Sequence, residues 1–171
     1  MATRPQLGRI VSGGQTGPDR AALDFAIARD IPYGGWCPRG GWAEDQTTPP
    51  GLLAQYPDLK ETPEADVAQR TTWNVRDSDA TLILTQRSEE TDSHGTDLTE
   101  RSAAELARPF VVVDVLDPER AKIAIRQLVD ALPAGATLNI AGPRESEAPG
   151  IYARSLELLD LCYPERTGHD G

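Results

Sequence analysis

Phe110 to Val115 is the plainest strand in the chain, and Ala80 to Leu84 is a second, near-continuous apolar run. A strand with no polar face must be covered on both sides, which is the condition of a strand inside a parallel sheet. Parallel neighbours are joined by crossovers, and helix-forming segments stand where crossovers are needed. Pro118 to Leu132 places Ala121, Ile125, Leu128 and Leu132 at helical spacing; helices are also predicted over Glu64 to Val75, Asp97 to Ala107 and Gly150 to Cys162. Thr137 to Ala141 adds a strand, and Ile10 with Val11 a short one near the start. The alternation predicts an α/β fold, a single domain with a mostly parallel sheet and helices on both faces. Residues 1–165 read as that domain and 166–171 as a polar tail. Ile31 to Tyr56 is so rich in Gly and Pro that it reads as a short strand feeding a long loop.

Charge and composition narrow the function. Seventeen basic residues against 27 acidic ones give a formal net charge of −10, with no basic run, which argues against nucleic acid and anionic membranes. The only lysines, Lys60 and Lys122, lie outside the glycine loops, which excludes a Walker A phosphate loop. Two histidines, His94 and His169, leave little material for His-rich metal sites or Ser/His/Asp triads. Cys37 and Cys162 form no C-x-x-C pair, and no apolar run reaches membrane-spanning length. A soluble, cytoplasmic protein is the expectation.

Ligands of open parallel sheets bind beyond the carboxyl ends of the strands. Gly13-Gly14-Gln15-Thr16-Gly17 follows the first strand, and Pro18-Asp19 opens a helix with Leu23, Ala26 and Ile27 at helical spacing. Glycines let backbone N–H groups approach a phosphate, and the helix behind them presents its positive end. Ser12 stands where a dinucleotide fingerprint has its first glycine, and the acidic ribose partner about 20 residues on is missing, so no NAD is expected. Gly95-Thr96 and Gly142-Pro143-Arg144-Glu145-Ser146 are further loop candidates. Arg39 with Gly40, Arg70 and Arg144 could supply positive charge, and Trp36 and Trp42 could stack on a planar ring or simply pack. Asp19 fits a ligand role and a helix-start role equally. Glu44 and Asp45 read as a solvated pair, His94 as an exposed loop residue and Cys37 as a packed thiol. Gly14→Asp suggests itself as a probe that abolishes anion binding and spares the fold.

A longer series carries a resemblance. Ser12-Gly13-Gly14-Gln15-Thr16-Gly17-Pro18-Asp19-Arg20, Gly34-Gly35-Trp36-Cys37-Pro38-Arg39-Gly40 with Ala43-Glu44-Asp45, and Leu59-Lys60-Glu61-Thr62 come first. Arg70-Thr71 with Asn74-Val75, Ser78-Asp79 before Thr81-Leu82-Ile83-Leu84, Gly95-Thr96, and Leu138 through Ser146 follow in order. Together they resemble the molybdenum carrier family over nearly the whole chain. The resemblance implies a Rossmann-like fold related to lonely-guy-type nucleotide-binding proteins, and molybdenum cofactor, a pterin with a dithiolene and a terminal phosphate, as cargo. It implies that Gly13, Gly14, Gln15, Thr16, Gly17, Asp19, Arg39, Gly40, Gly95, Thr96, Gly142, Arg144 and Ser146 surround the ligand. It further implies a homo-oligomer, and partners among molybdoenzymes or the proteins that make the cofactor.

The reading is a carrier for an anionic, phosphate-containing small molecule with no obvious chemistry of its own. Two alternatives stay open. A sensor for a nucleotide derivative would show the same loops. A lonely-guy-like phosphoribohydrolase would need the glutamate of P-G-G-x-G-T-x-x-E, where this chain has Thr99, and Glu100, one residue late, is rotated by about 100° on a helix. Asp19, Glu44 or Asp45 could replace it. Magnesium bridging Asp19 or Asp45 to a phosphate also stays open.

Overall fold

A computed structural model of the chain describes residues 7–87 and 94–163, so the tail from 166 lies outside the described residues. The elements run β1 (Arg9–Val11), α1 (Pro18–Ala28), β2 (Tyr33–Gly34), β3 (Trp36–Cys37), α2 (Leu52–Gln55), β4 (Lys60–Glu61), α3 (Val67–Arg76), β5 (Ala80–Thr85), α4 (His94–Glu105), β6 (Phe110–Asp114), α5 (Pro118–Asp130), β7 (Thr137–Ala141) and α6 (Ile151–Cys162). Five strands form one sheet in the order β2-β1-β7-β5-β6, with every neighbouring pair parallel. The α/β alternation read from the apolar runs is therefore the architecture.

Starting from the central strand, β7 leads to β1 and β2 on one side and to β5 and β6 on the other, the 3-2-1-4-5 arrangement of a doubly wound sheet. The strand that would come first in such a unit comes last here. The point where the winding reverses lies between β7 and β5.

Strand periodicity gives the sheet two different faces. Ile10, Leu82, Leu84, Leu138, Ile140 and Val113 point to one side, where they join Ala22, Phe25, Ile125, Ile151 and Leu158 of α1, α5 and α6 in the main core. Each large side chain buried there contributes about 1.5–3 kcal/mol. The opposite side, under the packed pair α3 and α4, carries Thr81 and Asn139 among buried Asn74, Thr99 and Ser102. Asn139 Nδ2 donates to Thr81 Oγ1 at 3.3 Å, and Thr72 and Ser102 share a hydrogen bond at 3.3 Å.

The glycine-rich stretch differs from a single strand and loop. Gly35, at φ +124°, breaks the strand so that β2 pairs with β1 and β3 pairs with β4 in a second, two-stranded parallel sheet. A Cβ at Gly35 would lie 2.4 Å from the Ser12 carbonyl oxygen. Cys37, Ala43, Leu52, Tyr56 and Leu59 then close over Leu23 of α1 as a separate core cluster, which gives the long loop its order. Elsewhere the helices shift by a few residues. Asp66 caps α3 by accepting from the Ala68 N–H at 2.9 Å, which sets its start. Ala107, at φ +52°, and Pro109 end the α4 segment.

Candidate anion-binding site

Above the winding reversal lies a small crevice of about 30 Å³, bordered by Gly13, Asp19, Arg70, Asn74, Thr99 and Asn139. Arg70 reaches over it from α3, and its Nη1 donates to Asp19 Oδ2 at 2.9 Å. A Cβ at Gly13 would stand 1.9 Å from that nitrogen, so this position must be glycine for the guanidinium to pass. Asp19 is 2% exposed. Burial raises its carboxyl pKa, and the charge and hydrogen bond of Arg70 oppose the rise. The satisfaction of this cluster is incomplete: Asp19 Oδ1, Arg70 Nε and Gln15 Nε2 are buried without a hydrogen-bond partner. An unsatisfied buried donor or acceptor costs about 1–3 kcal/mol, and of the two N–H donors one borders the crevice and the other belongs to the glycine loop.

The two strand-end loops at the crevice are not equivalent. Glu145 accepts from the Gly150 N–H at 2.6 Å and the Tyr152 N–H at 2.9 Å, so a carboxylate of the chain already holds the start of α6. The start of α1 has no side-chain cap, with Pro18 in its first turn and Gly17 at φ +83° before it. The first turn of α1 carries the Asp19 carboxylate, which does not cap its N–H groups. The loops touch tightly, since a Cβ at Gly17 would lie 2.5 Å from the Pro143 carbonyl oxygen.

A third segment joins them. Thr16 Oγ1 donates to Glu44 Oε1, Ser146 donates to Glu44 through its N–H at 3.3 Å and its hydroxyl at 2.6 Å, and the Glu145 N–H donates to Thr16 Oγ1 at 3.0 Å. Burial would raise the Glu44 carboxyl pKa; hydrogen bonds from Ser146 and Thr16 and the charge of Arg144 outweigh it and hold the group below its usual range. Asp45 pairs with Arg20 through two bonds of 2.9 Å, and the Arg20 Nε donates to the Gly14 carbonyl at 3.0 Å. The Glu44-Asp45 pair, which reads as merely solvated in the sequence, is thus pinned to the glycine loop.

Beside α1 lies a larger cavity of about 360 Å³, bordered by Thr16, Arg20, Asp24, Tyr56, Glu145 and Tyr152. The hydroxyls of Tyr56 and Tyr152 donate to the two Asp24 oxygens at 2.6 and 2.5 Å. Burial and these bonds push both phenols up, Tyr152 to about 12.

The remaining candidates sort by position. Gly142 borders the crevice, and Arg144, which borders neither the crevice nor the cavity beside α1, lies 5.6 Å from the Trp42 ring. Arg39 is exposed in the short turn Arg39–Gly41, and Gly40 donates its N–H to Glu61; neither borders the crevice or the cavity beside α1. Trp36 packs edge-on against Trp73 at 4.8 Å and donates to Asp77 at 2.8 Å, so its ring is engaged with α3. Thr96 is buried in the first turn of α4, while the surroundings of His94 and Gly95 lie outside the described residues. Burial lifts the Cys37 thiol to about 11, as suits a packed side chain. Gly14 has φ +73°, and its Cβ would meet Leu52 at 2.9 Å in the second core cluster, so Gly14→Asp would strain the fold and is no clean probe of binding. Among the described residues no three His, Cys, Asp or Glu side chains are grouped to hold a metal ion, and no helix is long and apolar enough to cross a membrane.

A doubly wound parallel sheet with glycine loops, an uncapped helix start and a crevice at its winding reversal defines an α/β protein of the small-ligand-binding type. The chain belongs to the circularly permutated YpsA SLOG family, whose model matches residues 10–163. The permutation in that description agrees with the strand order, in which the first strand of the unit has become β7. The fold is also similar to a crystal structure named "Putative molybdenum carrier protein" from Syntrophus aciditrophicus SB, with a TM-score of 0.81 and 39% identity over 94% of this chain and 98% of that one. No curated protein matches the sequence.

Proposed function

We propose that this protein binds and carries an anionic, phosphate-bearing small molecule at the loops 13–17 and 142–146, and that molybdenum cofactor is the cargo. The observation that carries the first half is the pair of buried, unpartnered donors, Arg70 Nε and Gln15 Nε2, beside the uncapped start of α1. Both lack an acceptor, and an oxyanion is a strong one. The second half rests on the likeness to the molybdenum carrier from Syntrophus, and on the cavity of about 360 Å³ that adjoins the loop at Thr16 and has room for a ring system.

The test is a thermal-shift panel with molybdenum cofactor, molybdate, tungstate, AMP, ADP-ribose and NAD, each with and without magnesium. A ligand at 100 times its dissociation constant adds about 2.7 kcal/mol, a visible rise in midpoint. A shift with the cofactor and none with the nucleotides supports the carrier; a shift with AMP or ADP-ribose alone replaces it by a nucleotide ligand. One observation favours a phosphoribohydrolase as the second reading: Asp19 brings a buried carboxylate of raised pKa into the crevice, where Thr99 replaces the expected glutamate. Release of free base from AMP would establish it.

A further inference from the structure

The donor set formed by Thr16 and Ser146 does not point into solvent; it holds a carboxylate. Three hydrogen bonds converge on Glu44, from the Thr16 hydroxyl, the Ser146 hydroxyl and the Ser146 N–H, and the charge of Arg144 acts on the same group. Two hydroxyls, one backbone N–H and a guanidinium at the junction of two strand-end loops suit a tetrahedral oxyanion, and a carboxylate offers such donors two of the same oxygens. We infer that Glu44 is a built-in occupant of an oxyanion seat, and that a phosphate group enters by displacing its side chain.

The backbone around Glu44 explains why displacement needs only a side-chain rotation. Ala43 is fully buried in the cluster with Leu52 and Tyr56, residues 43 and 46 are bridged, and the Glu44 N–H is held by Gln15 Oε1 at 3.0 Å. The segment stays anchored when the carboxylate leaves. Gln15 also supplies an observation that does not involve the Glu44 carboxylate. Its Oε1 accepts from the Thr16 and Glu44 N–H groups, which fixes the orientation of the amide, and its Nε2 is then a buried donor without an acceptor. An oxygen of a ligand is what this donor lacks.

The other acids nearby are committed elsewhere. Glu145 holds the start of α6, Asp45 holds Arg20, and Glu147 lies 3.7 Å from Arg144. Glu44 alone sits on the donors of both loops. A tethered carboxylate competes at an effective concentration in the millimolar range or above, so it sets a threshold that a weak free anion does not pass and a ligand with additional contacts does. Discrimination against the cell's free phosphate follows from the same arrangement. This inference rests on the reading that the loops bind a phosphate group.

The experiment is calorimetric titration of the full chain with inorganic phosphate at constant ionic strength, for wild type, Glu44→Gln, Glu44→Ala, and Glu44→Gln combined with Ser146→Ala. Circular dichroism confirms that each variant folds, and the conservative Gln variant guards against a loss of structure in the Ala variant. Both single variants are expected to bind phosphate at least tenfold more tightly than wild type, and Ser146→Ala to remove most of that gain. Equal or weaker phosphate binding by the folded Glu44 variants overturns the inference. In that event a thermal shift of wild type with molybdenum cofactor or a nucleotide leaves the binding function standing, and no shift with any of them removes both.

Discussion

The two faces of the central sheet are built from the same strands and differ in content, one apolar and one mixed. Toward α1, α5 and α6 the strands present Ile10, Leu82, Leu84, Leu138 and Ile140, all apolar. Toward α3 and α4 they present Thr81 and Asn139 beside Val11 and Ile83, and buried Asn74, Thr99 and Ser102 face them. Burying polar groups gives up hydrophobic stabilisation and requires each one to find a partner. The crevice opens on this mixed face, at the winding reversal, which is where the proposed ligand site lies.

Four variants test the division, in order of expected effect. Arg70→Ala leaves the Asp19 carboxylate buried and unpaired, and should cost about 3–5 kcal/mol in chemical denaturation as well as abolish ligand binding. Pairing Arg70→Gln with Asp19→Asn removes both charges together, and should recover most of the stability and none of the binding; recovery of binding would show that the pair is structural only. Leu82→Ala, on the apolar face, should cost about 3 kcal/mol through the cavity it opens and leave ligand affinity within twofold wherever the protein is folded. A tenfold loss of affinity there would break the comparison. Asn139→Leu should change stability by about 1 kcal/mol, since it removes one long hydrogen bond to Thr81, yet weaken binding at least tenfold by filling the crevice with an apolar group. Unchanged binding would place the ligand away from the mixed face.

What could be read in advance follows the range of each interaction. Strands and helices are local, and the apolar runs at Ala80 and Phe110 and the periodicity of Pro118 to Leu132 announce them within a residue or two. The strand order is a matter of which distant segments pair, and nothing local to Thr137–Ala141 says that it lies between β1 and β5. The break at Gly35 is similar, because its positive φ answers a close approach to Ser12 that only the folded chain contains. In the site, Gly13 to Gly17 are legible because a glycine loop and a helix start are contiguous. Arg70 meets Asp19 across 51 residues and Glu44 meets Thr16 across 28, so one looked like any surface arginine and the other like a solvated acid. Trp36 shows the converse: its placement in a glycine loop leaves ring stacking on a ligand and simple packing equally open, and the folded chain packs it on Trp73 of α3.

The Asp19–Arg70 pair has one consequence for how cargo would be felt by the molecule. Asp19 belongs to α1 and Arg70 to α3, helices that lie on opposite sides of the sheet, so the pair is a clasp fastening the two layers over the sheet's open end. A phosphate that recruits the guanidinium draws one half of that clasp to itself and becomes the link between the layers. Loading and unloading would then be mechanical events, registered as a change in how firmly α3 is held, and amide exchange along α3 would report the presence of cargo without any contact between probe and ligand.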